Sequence, residues 1–475
     1  MNSPKYIQVL LLLLVGCTCL PAHGQEDLLH EFDTFIAREN KTFDDRIRQM
    51  NKEFADYLKQ EWSNFPTHIN QPPTIDPDTA AFSKRDAHIS NTKNPPEAPL
   101  LQAEKTAGPR TKSGEFKISF FGKSLSIPSS RSFIIPINNV SEAAISKAWS
   151  KASNIDYSPL LSTLSQYKKD LRLNDWGYLQ LVQQAVKTIY AGQNYLDGTL
   201  FLTAYLLNQS AYSVKLARIN NRLGLLAEIN ETIYSIPQLK NKGQTWTLLY
   251  PRPLPSKVQV YTYEKSLPFA NTPISMQLPE LPALDGKCQS TVLPHKWQNE
   301  TIPVEVDKTL IDFYATMPQT DFTVYGNSAT SKQVKDLCRY LKKYIEGKSE
   351  TEAVSLLLDF VQHTFDYQAD TGQFGYEKVF FPDEMFHYPC NDCEDRAIFF
   401  CHLIRELLDL PVALVNYPNH IAAAVCFNAP TVGTHFKQNG KEYTLCDPTY
   451  INAGIGECME QFIGVKAELI TLSTY

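Results

Sequence analysis

Three side chains in the last quarter of the chain have the types and the order of an activated nucleophile. Cys393 sits in Asp-Cys-Glu-Asp-Arg-Ala, His420 in Pro-Asn-His-Ile-Ala-Ala-Ala-Val and Asp447 in Thr-Leu-Cys-Asp-Pro-Thr-Tyr. A thiol, an imidazole to deprotonate it and a carboxylate to orient the imidazole are the parts needed for acyl transfer through a thioester. The expectation is a cysteine-dependent enzyme acting on protein or peptide amides. Each residue alone reads more simply, as a core thiol, a solvated turn histidine and an Asp-Pro turn. Jointly, and in this order, they point to a site.

The elements around them fit that reading. Ala397 to Leu408 is broadly apolar and rich in helix formers, so it predicts a buried helix with Asp392 as N-cap and Cys393 in its first turn. Unpaired amides and the positive end of the helix stabilise a thiolate there, and the Cys393 amide can serve an oxyanion. Glu394 and Asp395 oppose ionisation, so a nearby imidazolium has to supply most of the activation. Pro418-Asn419 predicts a turn that opens a small-residue strand at His420, and Pro448 ends the strand that leads to Asp447. Gln373, twenty residues before the cysteine, is the candidate oxyanion side chain, with Tyr376 and Tyr388 as alternatives. Cys390 and Cys393 form a Cys-x-x-Cys, which also fits a redox pair or, with His420, part of a zinc site. No second such pair is present, and the sequence assigns no cofactor and no metal.

Residues from about 350 to 458 resemble the transglutaminase-like domain of the papain-like superfamily. The stretches that carry the resemblance are Ala353 to Phe365 with the following Asp-Tyr, then Asn391 to Ala397, Asn419-His420-Ile421 and Leu445 to Thr449. The Asp-Cys-Glu-Asp form is most similar to bacterial transglutaminase-like cysteine peptidases. The run Gln373 to Lys378 also resembles exported Bacteroidetes proteins of this type. The resemblance implies Cys393 as nucleophile, His420 as base and Asp447 as orienting acid. Family members often have Gly two residues before the cysteine, where this chain has Asn391. Water as acceptor would make a peptidase or amidase, and an amine would make a protein transglutaminase. The contrasting reading is a non-catalytic binding or assembly module of the cell envelope, with the trio as a remnant.

The remaining chain predicts an α+β protein in several parts. Its 475 residues exceed one ordinary core. Residues 1–24 read as a signal peptide for periplasmic or secreted export, with Leu14-Val15-Gly16-Cys17 offering a competing lipoprotein anchor at Cys17. Residues 27–65 predict one long helix, because Phe32, Phe43, Phe54 and Phe65 recur every eleven residues with Ile36, Ile47 and Leu58. That helix either packs on its own domain or joins copies of the chain. Residues 66–112 hold eight prolines and no Trp or Tyr, and read as a linker.

Residues 113–255 predict an α+β domain, 256–328 a β-rich connecting module, and 329–475 the catalytic domain. An offset of about 198 residues lays the helix-and-strand pattern of 198–250 over that of 395–447, placing Tyr195 opposite Cys393 and Arg222 opposite His420. The upstream domain therefore reads either as a degenerate copy that has lost its chemistry or as a chance likeness of helix–hairpin patterns. The net charge of −6 gives no reason to propose a nucleic-acid partner.

Overall fold

Two antiparallel sheets, each backed by a buried helix, carry the fold in the computed structural model, which describes residues 22–73, 114–128, 130–191, 196–251, 253–254 and 257–473. The leader and Cys17, Tyr195 and most of the proline-rich segment lie outside the described residues. Among the described residues no helix is long and apolar enough to cross a membrane.

The described chain begins with α1 (Ala22–Tyr57), β1 (Ser63–Pro66) and β2 (His68–Ile69), then the hairpin of β3 (Glu115–Phe120) and β4 (Lys123–Pro128). Helices α2 (Glu142–Ser153), α3 (Ser158–Asp170), α4 (Asp175–Ile189) and α5 (Leu196–Gln209) come next. Strands β5 (Val214–Ile219), β6 (Arg222–Glu228), β7 (Pro237–Asn241), β8 (Gln244–Leu249) and β9 (Gln259–Thr262) follow them. A second hairpin, β10 (Cys288–Val292) with β11 (Pro303–Asp307), leads through α6 (Lys308–Tyr314) and α7 (Phe322–Gly326) to the C-terminal half. There stand α8 (Lys332–Ile345), α9 (Glu350–Thr364), β12 (Asp366–Tyr367), α10 (Asp370–Gln373), β13 (Cys390–Asn391) and α11 (Cys393–Leu408). The last strands are β14 (Val412–Tyr417), β15 (His420–Val425), β16 (His435–Gln438), β17 (Lys441–Cys446) and β18 (Glu468–Thr471).

The chain divides into two compact units, residues 1–60 with 141–155 and residues 61–140 with 156–475. In the smaller unit, the C-terminal end of α1 packs on α2. Phe54 meets Trp149 edge-on at 5.0 Å, and the Trp149 indole donates to Asn51 at 3.0 Å. Farther up α1, Phe43 of the same apolar row is 63% exposed. The helix stops at Tyr57 rather than continuing to 65, because Phe65 pairs with Val260 of β9 as a strand residue.

The larger unit contains the same arrangement twice. The first sheet has the order β1-β9-β5-β6-β8-β7-β2 and the second β16-β17-β15-β14-β18. Matching β5 to β14, β6 to β15, β7 to β16, β8 to β17 and β9 to β18 reproduces every neighbour relation of the second sheet in the first. The register recurs too. Val214 faces Ala227 and Ile219 faces Arg222, while 198 residues later Val412 faces Val425 and Tyr417 faces His420. A helix precedes each set, α5 in the first and α11 in the second. From Ala397 through Ile404 α11 is buried on all sides, each large apolar side chain contributing roughly 1.5–3 kcal/mol.

Other segments depart from the sequence pattern for local reasons. Ser132 to Ile137 reads as a strand, but Ile135 spends both its backbone groups on the Tyr190 hydroxyl, at 2.9 Å each. Phe322 to Tyr325 reads as a strand and forms α7, a short apolar run being ambiguous between the two. The segment 256–328 is not a separate β module, since β9 belongs to the first sheet and only β10 and β11 pair with each other. The sequence Ser349-Glu350-Thr351-Glu352 fits a capping box, and α9 begins there with Ser349 and Glu352 in a reciprocal cap.

Candidate active site

Cys393 is the first residue of α11, and α11 lies against β14 and β15. Ala422 and Ala424 share one face of β15 and pack with Ala413, Val415 and Leu445, while Ala423 points to the other face. The Cys393 sulfur accepts a hydrogen bond from the Ile421 amide, one residue beyond His420. His420 is the first residue of β15, after a two-residue turn in which Asn419 holds φ +60°, a conformation that Asn tolerates better than most residues.

The imidazole is firmly held. Nε2 pairs with Asp447 Oδ2 at 2.8 Å, and the ring of Phe462 stacks on it at 5.2 Å with an interplanar angle of 9°. Asp447 follows β17 directly. Its Oδ1 accepts the amides of Thr449 at 2.9 Å and Tyr450 at 3.3 Å, while its backbone carbonyl accepts from Gln362 at 3.1 Å. With Nε2 engaged by the carboxylate, any proton transfer by this ring falls to Nδ1. The three residues are buried, with Cys393 and His420 at 0% exposure and Asp447 at 2%.

The electrostatics around the thiol oppose its ionisation. Burial pushes the Cys393 thiol well above its ordinary range, and the carboxylates of Glu394 and Asp392 push the same way against the Ile421 amide. The thiol donates to Glu394 Oε2 at 3.3 Å. Four carboxyl groups crowd this end of α11. Burial and mutual repulsion raise Asp370, Asp392 and Glu394 far above the usual carboxylate range. Burial also pushes Asp395 up to about 7, although the Phe380 amide and Lys378 work against it.

Arg396 is the buried cation nearby. It donates to Asn391 Oδ1 at 2.8 Å and to the Phe365 carbonyl at 2.9 Å, and lies 5.4 Å from the Tyr367 ring centre. Asn391 thus serves as an acceptor for Arg396. Lys378 is committed to Glu384 at 2.6 Å.

Asp370, Asp392 and Glu394 each offer one carboxylate oxygen within 4.8 Å of the other two. Each residue also has one oxygen held by a protein donor and one buried oxygen without any: Asp370 Oδ1, Asp392 Oδ1 and Glu394 Oε1. Such an oxygen-only donor set fits a hard divalent cation.

Gln373 lies at the end of α10, buried. Its amide nitrogen donates to the Cys390 carbonyl and its oxygen accepts the Cys390 amide, both at 3.1 Å. It therefore braces the strand that leads to Cys393. Tyr376 and Tyr388 line a cavity whose wall includes neither Cys393 nor His420. All eight cysteines from 288 onward are free thiols, Cys390 and Cys393 included. Comparison with protein-family models, with curated proteins and with solved structures returns no match.

Gln362, Phe462 and Asp370 were not singled out by the sequence. Gln362 ties three backbone carbonyls of the Asp447 loop, at residues 447, 450 and 453, and no local pattern marks it. Asp370 lies 22 residues before Asp392 and is carried to it by the parallel pairing of β12 with β13.

Proposed function

We propose that this chain is an exported cysteine-dependent acyl-transfer enzyme of the transglutaminase-like type, acting on protein or peptide amides. The observation that carries the reading is the buried His420–Asp447 pair at 2.8 Å, beside a helix-tip cysteine whose sulfur takes the next amide of the histidine's strand. In the proposed reaction His420 Nδ1 takes the thiol proton and the sulfur attacks the amide carbonyl. The C–N bond breaks, and the amine leaves with the proton held by His420. Water then cleaves the thioester, releasing the acid and restoring the thiol. A labelled amine in place of water would give transamidation. Gln373 enters as a positioning residue for the oxyanion side of the cleft. A divalent cation held by Asp370, Asp392 and Glu394 would offset the negative field that opposes thiolate formation.

The complete burial of Cys393 sets a condition on this reading: the wall formed with Glu394 has to move before an amide reaches the sulfur. The same burial, with the raised thiol, favours the second reading, a binding module in which the trio is a remnant. Labelling by a thiol-reactive acyl probe near neutral pH separates them. Modification of the wild type but not of Cys393→Ala supports the enzyme, and absence of Cys393-dependent labelling supports the module. Adding a labelled primary amine with an acyl donor then distinguishes transfer from hydrolysis.

A further inference from the structure

Three cavities in the larger unit share their walls. A basin of about 690 Å³ includes Trp176, Lys187, Lys287 and Lys308 in its lining. It shares Ile236, Ala315, Met317 and Pro318 with a trough of about 540 Å³. The trough in turn shares Tyr234, Gln319, Glu377 and Val379 with a mouth of about 370 Å³. Glu394, which accepts the Cys393 thiol, forms part of the wall of that mouth while remaining unexposed itself. Each cavity is the size of a small-ligand site, so the joined run is too long for one small molecule.

The two halves of the duplication divide the trough between them. Pro237 and Leu248 come from the first sheet and Tyr250 from just beyond it, Tyr376, Phe381 and Tyr388 from the segment leading to the cysteine. The run is also electrically polar. The basin sets three lysines against Asp312, whereas the mouth is lined by Asp321, Glu377, Glu394 and Glu468 and by no lysine or arginine.

We propose that this run of cavities is the recognition groove for an extended polypeptide substrate. A carboxylate-bearing segment of the substrate lies on the lysine basin, apolar or aromatic side chains fill the trough, and a basic residue sits at the mouth beside the scissile amide. The half that lacks the trio thereby supplies recognition. The identity of the occupant as a polypeptide rests on the acyl-transfer reading, and charge complementarity assigns its polarity.

Binding to the full-length Cys393→Ala chain tests the groove without requiring turnover. The probes are fluorescein-labelled peptides of about twelve residues, long enough to span several cavities when extended. They carry acidic residues at one end, leucine, proline and tyrosine in the middle and lysines at the other end, in either chain direction. The comparison peptide has the same composition with its charges alternating. In fluorescence anisotropy at low salt, one polarised peptide binds at least about tenfold more tightly than the scrambled one. The double variant Lys287→Glu/Lys308→Glu loses that preference while keeping its melting temperature, and Lys169→Glu, far in sequence and on an exposed helix surface, keeps it. Equal binding of the scrambled peptide, or a preference that survives the double reversal, overturns the proposal. Peptide binding without Cys393-dependent probe labelling would leave the groove standing and remove the enzyme. Labelling without peptide preference would do the opposite.

Discussion

Replacing Asp447 with Asn alters one atom and should reverse the tautomer of His420. The carboxylate uses its two oxygens differently. Oδ1 accepts two backbone amides, from Thr449 and Tyr450, and Oδ2 faces His420 Nε2. An Asn side chain has a single oxygen, and the two amides claim it. The amide nitrogen then faces Nε2 and donates, so Nε2 becomes the acceptor and the ring proton moves to Nδ1, the atom required to receive the thiol proton. Restoring the productive tautomer sets two donors against each other, Nε2–H and the Asn amine, in a site at 0–2% exposure. A buried unmade donor costs about 1–3 kcal/mol, so the pair costs about 2–6 kcal/mol. That corresponds to a loss of roughly 30-fold to 2 × 10⁴-fold in the acylation rate. The turn keeps its amide acceptor, so the fold should remain within about 1 kcal/mol of the wild type. The assay is the rate of Cys393 labelling by an acyl probe in the two proteins. It is paired with ¹⁵N chemical shifts of the His420 ring, which report the tautomer directly. A labelling rate within about threefold of wild type, or an unchanged tautomer, would refute the reasoning.

Three further outcomes follow from other parts of the structure. Protein stripped with EDTA should melt higher after addition of Ca²⁺ or Mg²⁺, by about 2.7 kcal/mol of stability at one hundred times Kd. Asp370→Asn and Glu394→Gln should remove the increment, and an equal increment in those variants would exclude the three-carboxylate site. Lys215 is 1% exposed, packs 4.4 Å from the Trp246 ring centre and is pushed down to about 8 by burial, against 10.5 for the unfolded chain. Between those pH values the unfolded state holds more protons, so this residue's destabilising contribution is complete below pH 8 and fades as pH rises towards 10.5. Lys215→Met should therefore gain on the order of 3 kcal/mol in urea unfolding at pH 7, with an advantage that shrinks above pH 8; a constant advantage would contradict this. Ser349→Ala removes the reciprocal cap of α9 and should cost about 1 kcal/mol in the same measurement, with no change expected in the spectrum of the folded state.

How far the site could be read from the sequence depended on the range over which its parts are assembled. The helix after Cys393 was legible from its length and its helix-forming residues, and the strand after His420 from a shorter apolar run that follows a Pro-Asn turn. The turn between β14 and β15 was legible from Pro418-Asn419. The carboxylate cluster was not legible. Glu394 and Asp395 could be seen only as opponents of the thiolate, since the residue that completes the cluster arrives through β12 and β13, two strands of two residues each. Pairs that short have no periodicity to detect. Gln373 was visible as a polar residue at a suggestive spacing, but its hydrogen bonds to Cys390 depend on a chain reversal between residues 374 and 389 that the sequence does not specify. The long helix was overextended for a related reason. Phe65 continues the eleven-residue step, yet a side chain in register with a helical row fits equally well on a strand that pairs with β9.

The repeated topology gives an internal control for the site, because the first half has the same backbone with different side chains. In that half the turn before β6 contains Asn220 at φ +52°, and Arg222 opens the strand. The amide of Leu223 donates at 2.9 Å to Asp197, a residue in the first turn of α5, and Arg222 reaches the same carboxylate at 3.1 Å. In the second half Asn419 at φ +60° precedes His420, and the amide of Ile421 donates to the sulfur of Cys393 at the tip of α11. In both halves, then, the second residue of the strand sends its N–H to an acceptor on the first turn of the preceding helix. In the first half the residue before that amide also touches the acceptor. The backbone thus brings an amide of the strand to a group on the first turn of the helix in both halves. A carboxylate and a guanidinium there form a closed ion pair with nothing to transfer. In the second half the helix-tip group is a thiol, and the first side chain of the strand is an imidazole paired with the carboxylate of Asp447. The difference between the halves lies in the chemistry of two side chains and one acid, on a common frame.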